Sequence, residues 1–342
     1  MNRTEKLLSY TGDLGSVYIT TPENIRYFSG VEVEGGLIIT KNERIIVTDG
    51  RYTEVAKNNP CGFTVVESVN HSEELKKIGK KVFFEPEISY SSYEKLKGAD
   101  LKLEKLNINL DTLRSVKDTE EIKHLKEAAK LAEKALVKTL EVIKIGVTEN
   151  FVKATLEYNM ALLGGEKTSF DTICISGVKT SLPHGTPSDK VIEKGDFLTI
   201  DFGCVKNGYC SDMTRTFAIG TATEEMKEVY ETVLKAQLAA TEFIKVGVKC
   251  SDCDKIARDI IKEAGFGENF RHSLGHGVGL KIHEMPVLSP KSQSFLEKDN
   301  IVTVEPGIYI ERKMGVRIEN TVIVTEKECV ELQEFGKNLI IL

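Results

Sequence analysis

A segment that opens EVIKIGVTENFVKATLEY at Glu141 is echoed by EFIKVGVKCSDCDKIARDI at Glu242. Each reads as a helix end, a glycine, a cap (Thr148 or Ser251) and a new amphipathic helix. The echo continues downstream in the same order. KGDFLTIDFG (194–203) answers KDNIVTVEPG (298–307), and SDMTRTFAI (211–219) answers IENTVIV (318–324). The offset drifts from 101 to 104 to 107, as loop insertions produce. Three matched pairs in one order mark an internal duplication. Two copies of one α/β unit are expected to face each other across a pseudo-twofold axis.

The duplication pairs acids. Glu305 corresponds to Asp201, and Glu319 to Asp212. Each copy thus offers one carboxylate at the end of an apolar strand and one opening the next. Strand alternation places Thr199 with Asp201, Thr303 with Glu305, Arg317 with Glu319 and Thr321, and Asp212 with Thr214 and Thr216. If the copies face each other, four carboxylates converge. A single acid after a strand is usually a surface turn residue, but four at symmetry-matched positions are not. Such a group must protonate, separate or find cations. Arg317 and Arg215 supply two charges at most, and Arg215 alternates to the face opposite Asp212. Two divalent cations supply four, with bridging carboxylates and metals roughly 3.5–4 Å apart.

Of six histidines, His71 and His124 lie in charged, solvated contexts. The other four sit in LPHGTP (His184) and RHSLGHGVGLKIHE (His272, His276, His283). The glycines of the second stretch would let backbone pass close to a bound group. One imidazole would complete a mixed oxygen and nitrogen ligand set, which suits manganese, iron, cobalt or zinc better than calcium or magnesium. Residue type alone does not choose among the four. No phosphate loop, HExxH helix or GxSxG elbow is present. Cys250 and Cys253 form a CxxC with no partner pair, which reads as a helix start holding two thiols.

Residues 1 to about 115 alternate short strands (SVYITT, GLIIT, RIIVTD, KVFFE) with short helical stretches, a small α/β domain. The boundary is placed at DTLRSVKD (111–118), giving domains 1–115 and 116–342. Asp118 and Glu121 then stand at capping-box spacing. Apolar positions from Ile122 to Ile143 follow at helical spacing, and Gly146 ends the run. The net charge of −6 argues against a nucleic-acid partner. No apolar run reaches membrane-spanning length, and MNRTEKLLSYTGDLG lacks the apolar core of a signal peptide. Seven cysteines in a chain this long fit reduced thiols, so the expected compartment is the cytoplasm.

The motifs SLPHGTPSD, GDFLTIDFGCVKNGYCSDMTRT, HSLGHGVGLKIHE, TVEPGIYI and GVRIENT resemble, in order and spacing, those of the pita-bread metallopeptidases. The resemblance is to the prolidase and aminopeptidase P branch, in its compact two-domain bacterial or archaeal form. TPENIRYFSGVE resembles the amino-terminal domain of that branch. The fold implied is α/β (α+β), a small N-terminal domain followed by a pita-bread domain with internal pseudo-twofold duplication.

The resemblance implies an Xaa-Pro exopeptidase with two divalent ions per subunit, manganese first, with cobalt, zinc or iron as alternatives. Asp201, Asp212, His276, Glu305 and Glu319 would be the ligands, with Asp212 and Glu319 bridging. A metal-bridged hydroxide would be the nucleophile, and Glu305 would carry its proton to the leaving proline nitrogen. His184 and His283 would meet the substrate and its tetrahedral intermediate, with His272 as a further substrate-binding histidine. Arg317 would tune and restrain Glu319. The substrates implied are short proline-containing peptides, and the N-terminal domain would serve a homodimer and shape the cleft mouth. The alternatives are a peptide-binding protein without turnover and a metal-free C–N hydrolase.

Overall fold

Contacts in the computed structural model, which describes residues 2–11, 15–58 and 61–342, divide the chain between Arg114 and Ser115. In the first unit, strands β1 (Ser16–Ile19), β2 (Gly35–Ile39), β3 (Arg44–Thr48), β4 (Thr64–Glu67), β5 (Lys81–Phe84) and β6 (Lys102–Lys105) form one sheet. Its order is β4-β3-β2-β1-β5-β6. The β1–β5, β3–β4 and β5–β6 pairs are parallel and the rest antiparallel. Helices α1 (Arg3–Leu8), α2 (Pro22–Ser29), α3 (Thr53–Asn58), α4 (His71–Ile78), α5 (Tyr90–Lys97) and α6 (Leu110–Ser115) precede, connect and follow the strands. Apolar strand residues Ile38, Val47 and Val82 pack on Leu75 of α4 and Leu96 of α5. Edge strands β4 and β6 escaped sequence reading because TVVE and KLEK are largely exposed and carry charge, as sheet edges tend to.

The second unit repeats one order of elements. The first copy runs α7 (Thr119–Leu140), α8 (Glu149–Leu162), β7 (Lys167–Thr168), β8 (Ile173–Ser176), β9 (Phe197–Phe202), β10 (Cys204–Lys206), β11 (Tyr209–Cys210) and β12 (Met213–Ala218). The second runs α9 (Glu224–Phe243), α10 (Cys250–Glu263), β13 (Gly275–Gly277), β14 (Glu284–Leu288), β15 (Ile301–Val304), β16 (Gly307–Ile310), β17 (Met314–Arg317), β18 (Asn320–Val324) and β19 (Cys329–Glu331). The bounds of α8 and α10 differ by 101 at both ends, the offset of the sequence echo. Strand triplets β12-β9-β8 and β13-β15-β18 lie at matching places.

Strand alternation separates two faces. Leu198, Ile200 and Phe202 of β9 pack with Leu136 of α7 and Leu156 of α8 in one apolar cluster. Val302 and Val304 of β15 pack with Val233 of α9 and Ala257 of α10 in another. The intervening Thr199, Asp201, Thr303 and Glu305 therefore share the other face of their strands. The capping box of Asp118 and Glu121 opens α7. That helix stops at Leu140, short of Gly146, because the chain leaves it to bond Ile192: Gly146 N donates to Ile192 O and Ile192 N to Val147 O. Thr148 caps α8, but Ser251 caps nothing. Helix α10 begins at Cys250 with Lys249 at the cap position, which places Ser251 inside the first turn. Cys250 and Cys253 are fully buried in the apolar cluster, and burial pushes their thiols up to about 11 and about 12.

Arg215 ties the copies together. Its side chain is buried on the helix-side face of β12. It donates to Thr214 O and Glu319 O at 2.9 and 2.6 Å, to Asn320 Oδ1 and Phe335 O at 2.7 Å each, and to Gly336 O at 3.0 Å. Gly275 serves close strand approach. A Cβ there would lie 1.9 Å from Thr303 O, so no side chain fits between β13 and β15. The neighbouring Gly277 and Gly279 are blocked by Met285 O and Glu284 Oε2. The glycines of this stretch thus serve packing within the protein, where sequence reading assigned them to a bound group. Gly275→Ala is expected to destabilise the protein by about 1–3 kcal/mol or more, read as a lower midpoint in thermal or urea unfolding.

No helix among the described residues is long and apolar enough to cross a membrane.

Candidate metal centre

The polar faces of the two copies bring Asp201, Asp212 and Glu319 together. One carboxylate oxygen from each lies within 4.8 Å of the other two. Glu319 and Asp212 are 1% and 4% exposed, so their charges have almost no solvent to meet. His276 joins them from β13. Its Nε2 lies 3.6 Å from Asp212 Oδ2 and 3.4 Å from Glu305 Oε1. These separations are long for hydrogen bonds, whose usual N···O distance is about 2.9 Å.

Glu305 is held by its own strand neighbour, and Asp201 and Glu319 by side chains of the opposite copy. Thr303 Oγ1 donates to Glu305 Oε1 at 3.2 Å, and Thr214 Oγ1 donates to Glu319 Oε2 at 2.7 Å. Thr321 Oγ1 and Gln333 Nε2 donate to the main-chain oxygen of Asp212 at 3.0 and 2.8 Å. Arg317 Nη2 donates to Asp201 Oδ2 at 2.6 Å, and its Nε to Thr214 Oγ1 at 3.1 Å. Sequence reading paired Arg317 with Glu319. The guanidinium hydrogen-bonds Asp201 and Thr214, while its charge still pulls the pKa of Glu319 down.

The charges do not balance. Burial, then repulsion from Glu319, Asp201 and Glu305, holds Asp212 well above the usual carboxylate range. Burial and repulsion from Glu305 and Asp201 do the same for Glu319. Burial pushes Glu305 up to about 8, against the pull of Arg317. Two buried oxygens, Asp201 Oδ1 and Glu319 Oε1, have no hydrogen-bond partner. Elsewhere this chain satisfies its buried acids. Glu85 accepts from Thr20 N, Thr20 Oγ1, Thr21 N and Asn24 Nδ2, all within 2.8 Å. An orphaned carboxylate oxygen is costly unless a cation meets it.

The imidazole of His276 turns a free nitrogen toward the acids. Its Nδ1 lies 3.0 Å from Gly277 O, a pure acceptor, so Nδ1 carries the proton and Nε2 presents its lone pair to the acids. Burial pushes its pKa down to about 4, which keeps it neutral. Orphaned oxygens together with a lone pair on nitrogen are a donor set that fits a divalent metal.

His283 stacks edge-on against His276 with ring centroids 4.3 Å apart, and partial burial with the nearby His184 lowers its pKa. His184 is exposed on the loop after the 3₁₀ turn Gly177–Ser181. His272 is hydrogen-bonded at both ring nitrogens. Its Nδ1 meets Ser273 O at 2.8 Å and its Nε2 meets Tyr309 Oη at 2.9 Å. Tyr309 Oη in turn accepts from Arg317 Nη1 at 2.7 Å. Both ring nitrogens are engaged within the protein, so His272 supports Arg317 and, through it, Asp201. Helix α10 secures this loop. Asp254 accepts from Arg258 and from Leu274 N, while Arg258 donates to Phe270 O and His272 O. Sequence reading missed Tyr309, Gln333 and the anchoring function of Thr214. For Thr214, strand alternation gives the face it shares with Asp212, but not its long-range contacts with Glu319 and Arg317.

Residues 123–326 match the profile of metallopeptidase family M24, and residues 3–116 match the creatinase/prolidase N-terminal domain. The chain belongs to metallopeptidase family M24. Its fold is the pita-bread arrangement with an added N-terminal domain. It is 40% identical to the Xaa-Pro dipeptidase of Pyrococcus furiosus, over 99% of each chain. Among solved structures it resembles an Xaa-Pro dipeptidase from Bacillus anthracis, with TM-score 0.95 and 40% identity over 99% of each chain. It also resembles an X-Pro aminopeptidase from Thermotoga maritima, with TM-score 0.92 and 39% identity over the whole of both chains.

Two outcomes follow for this M24 peptidase. Asp212→Ala is expected to lose most of the divalent metal retained after manganese loading and desalting, measured by elemental analysis, with its circular dichroism unchanged. The second concerns pH. The folded pKa of Glu305 lies above its unfolded value, so the stabilisation tied to its proton is complete below the ordinary glutamate range and lost as pH rises through about 8. The thermal midpoint of metal-stripped protein is expected to fall between about pH 5 and about pH 8, and added manganese to raise it most at the upper end.

Proposed function

We propose that this M24 peptidase is a dinuclear, metal-dependent Xaa-Pro exopeptidase that cleaves the bond between an N-terminal residue and proline. The observation that carries the reading is the pair of orphaned oxygens on Asp201 and Glu319, inside a group of acids that the single guanidinium of Arg317 does not balance. Asp201, Asp212, His276, Glu305 and Glu319 would hold the two ions. Divalent ions supply Lewis acidity and lower the pKa of water to near neutrality. Manganese is the first choice for this oxygen-rich set with one imidazole, ahead of cobalt, zinc or iron.

The chain's own groups do the rest. Glu305 takes a proton from the attacking water and returns it to the proline nitrogen as that nitrogen leaves. A neutral His283 and the exposed His184 supply hydrogen bonds to the substrate carbonyl as it becomes tetrahedral. A bond to proline has no N–H, so a site that grips the carbonyl side loses nothing there. Arg317 holds Asp201, while Tyr309 and His272 hold Arg317.

Relatives of nearly equal identity bear the names dipeptidase and aminopeptidase, so short Xaa-Pro peptides are the class of substrate. We place the enzyme in the cytoplasm, where its seven thiols, all free, stay reduced. We assign the first unit to homodimer formation. The acidic cluster suited to a metal lies in the second unit. Light scattering at several protein concentrations tests the dimer.

Proline release from Ala-Pro and from Ala-Pro-Ala, compared at equal manganese loading, tests the activity. Exhaustive chelation is expected to lower turnover at least a hundredfold, with recovery on adding manganese back. Peptide binding without turnover in the metal-loaded protein would indicate a binding protein. Turnover that survives chelation would indicate a metal-free C–N hydrolase.

A further inference from the structure

His184 lies in a segment of little regular structure, yet two ties hold that segment. One is on the side of the acids: Arg317 Nη1 donates to Pro183 O, the carbonyl just before His184, at 3.2 Å. The other is Glu149, the first residue of α8, whose side chain is fully buried. Glu149 Oε1 accepts from Ser176 N at 2.7 Å and from Ser176 Oγ at 3.1 Å. Its Oε2 accepts from Ser188 N and Ser188 Oγ at 3.0 Å each, and from Lys179 Nζ at 2.5 Å. Lys179 closes the ring by also donating to Thr186 O at 2.8 Å and Ser188 Oγ at 2.9 Å.

One carboxylate therefore gathers residues from both ends of the 176–188 loop and a lysine from within it. A helix-opening acid needs none of this, because the helix dipole alone favours it there. Helix α8 already has Thr148 as its N-cap, with Thr148 Oγ1 accepting from Phe151 N. The five donors converging on Glu149 act on the loop.

We propose that Glu149 is a positioning residue that fixes His184 over the reacting carbonyl by pinning both ends of its loop. This rests on the reading that His184 meets the substrate of a metal-dependent peptidase. Glu149 touches neither the acid cluster nor substrate, so its effect passes through His184. Glu149→Gln keeps the shape but turns an amide toward donors on one side, which releases either Ser176 or the Ser188–Lys179 pair.

The test combines kinetics with hydrogen exchange on the manganese-loaded enzyme. Glu149→Gln is expected to lower kcat about ten- to a hundredfold, as a misplaced positioning group does. Metal content stays at the wild-type level, and amides of the 177–190 segment exchange faster. His184→Ala lowers kcat similarly, and the double variant loses no more than His184→Ala alone. Ser188→Ala, which removes one donor and leaves the carboxylate, shifts kcat and exchange in the same direction by less, and stands in should Glu149→Gln fail to fold.

Losses that multiply in the double variant would overturn the proposal. So would loss of metal with unchanged loop exchange, or wild-type kcat in Glu149→Gln. Should the wild-type enzyme release no proline from any Xaa-Pro peptide, the functional reading fails. The exchange rates still decide whether Glu149 pins the loop.

Discussion

Like charges crowded out of water repel, and that repulsion organises this protein. Asp201, Asp212, Glu305 and Glu319 come from four strand ends in two related halves, Asp212 and Glu319 fully buried and Asp201 and Glu305 largely so. Around them the chain offers one guanidinium, from Arg317, and hydroxyls from Thr214 and Thr303. These fix the direction of the carboxylates without neutralising them. The cost is met elsewhere, by two apolar clusters that sandwich the strands against helices on their other face. A stable shell thus holds an unstable interior in readiness for cations.

What marks the site as functional is the contrast with buried acids that are not. Glu85 and Glu149 are as deeply buried as the central group, yet every oxygen they carry is answered by donors. Their chemistry ends in structure. Asp201 and Glu319 each keep an oxygen that no donor in the protein answers. Burial alone says little about an acid; burial with an unanswered oxygen says a good deal.

The legible part of the chain was whatever repeats or alternates. The echo between the two halves exposed the acid pairs. The two-residue period of strands placed Thr199, Asp201, Thr303 and Glu305 on one face and sent Arg215 to the other. The illegible part was contact between residues far apart in sequence. Gln333 reaches Asp212, Tyr309 reaches His272, and Glu149 reaches Ser188, none at a spacing that periodicity can report. For the same reason Arg317 was paired with the acid two residues away, although its partner Asp201 lies in the other copy. Ser251 is a good capping residue that stands inside the first turn, and α10 starts with no side-chain cap. The glycines around His276 signalled close approach correctly, but what approaches is neighbouring protein.

Arg215 spends its hydrogen bonds mostly on the opposite copy and on the chain that follows it. An ancestor carrying a single copy would have had to borrow those acceptors from a second molecule, at the mercy of its concentration. Fusion makes the encounter unimolecular. It also releases the halves from identity, since one gene now spells both. By strand pairing, the position matching His276 in the first copy is Ile175. A nitrogen donor on one side and a hydrocarbon on the other is an asymmetry that no pair of identical subunits could encode.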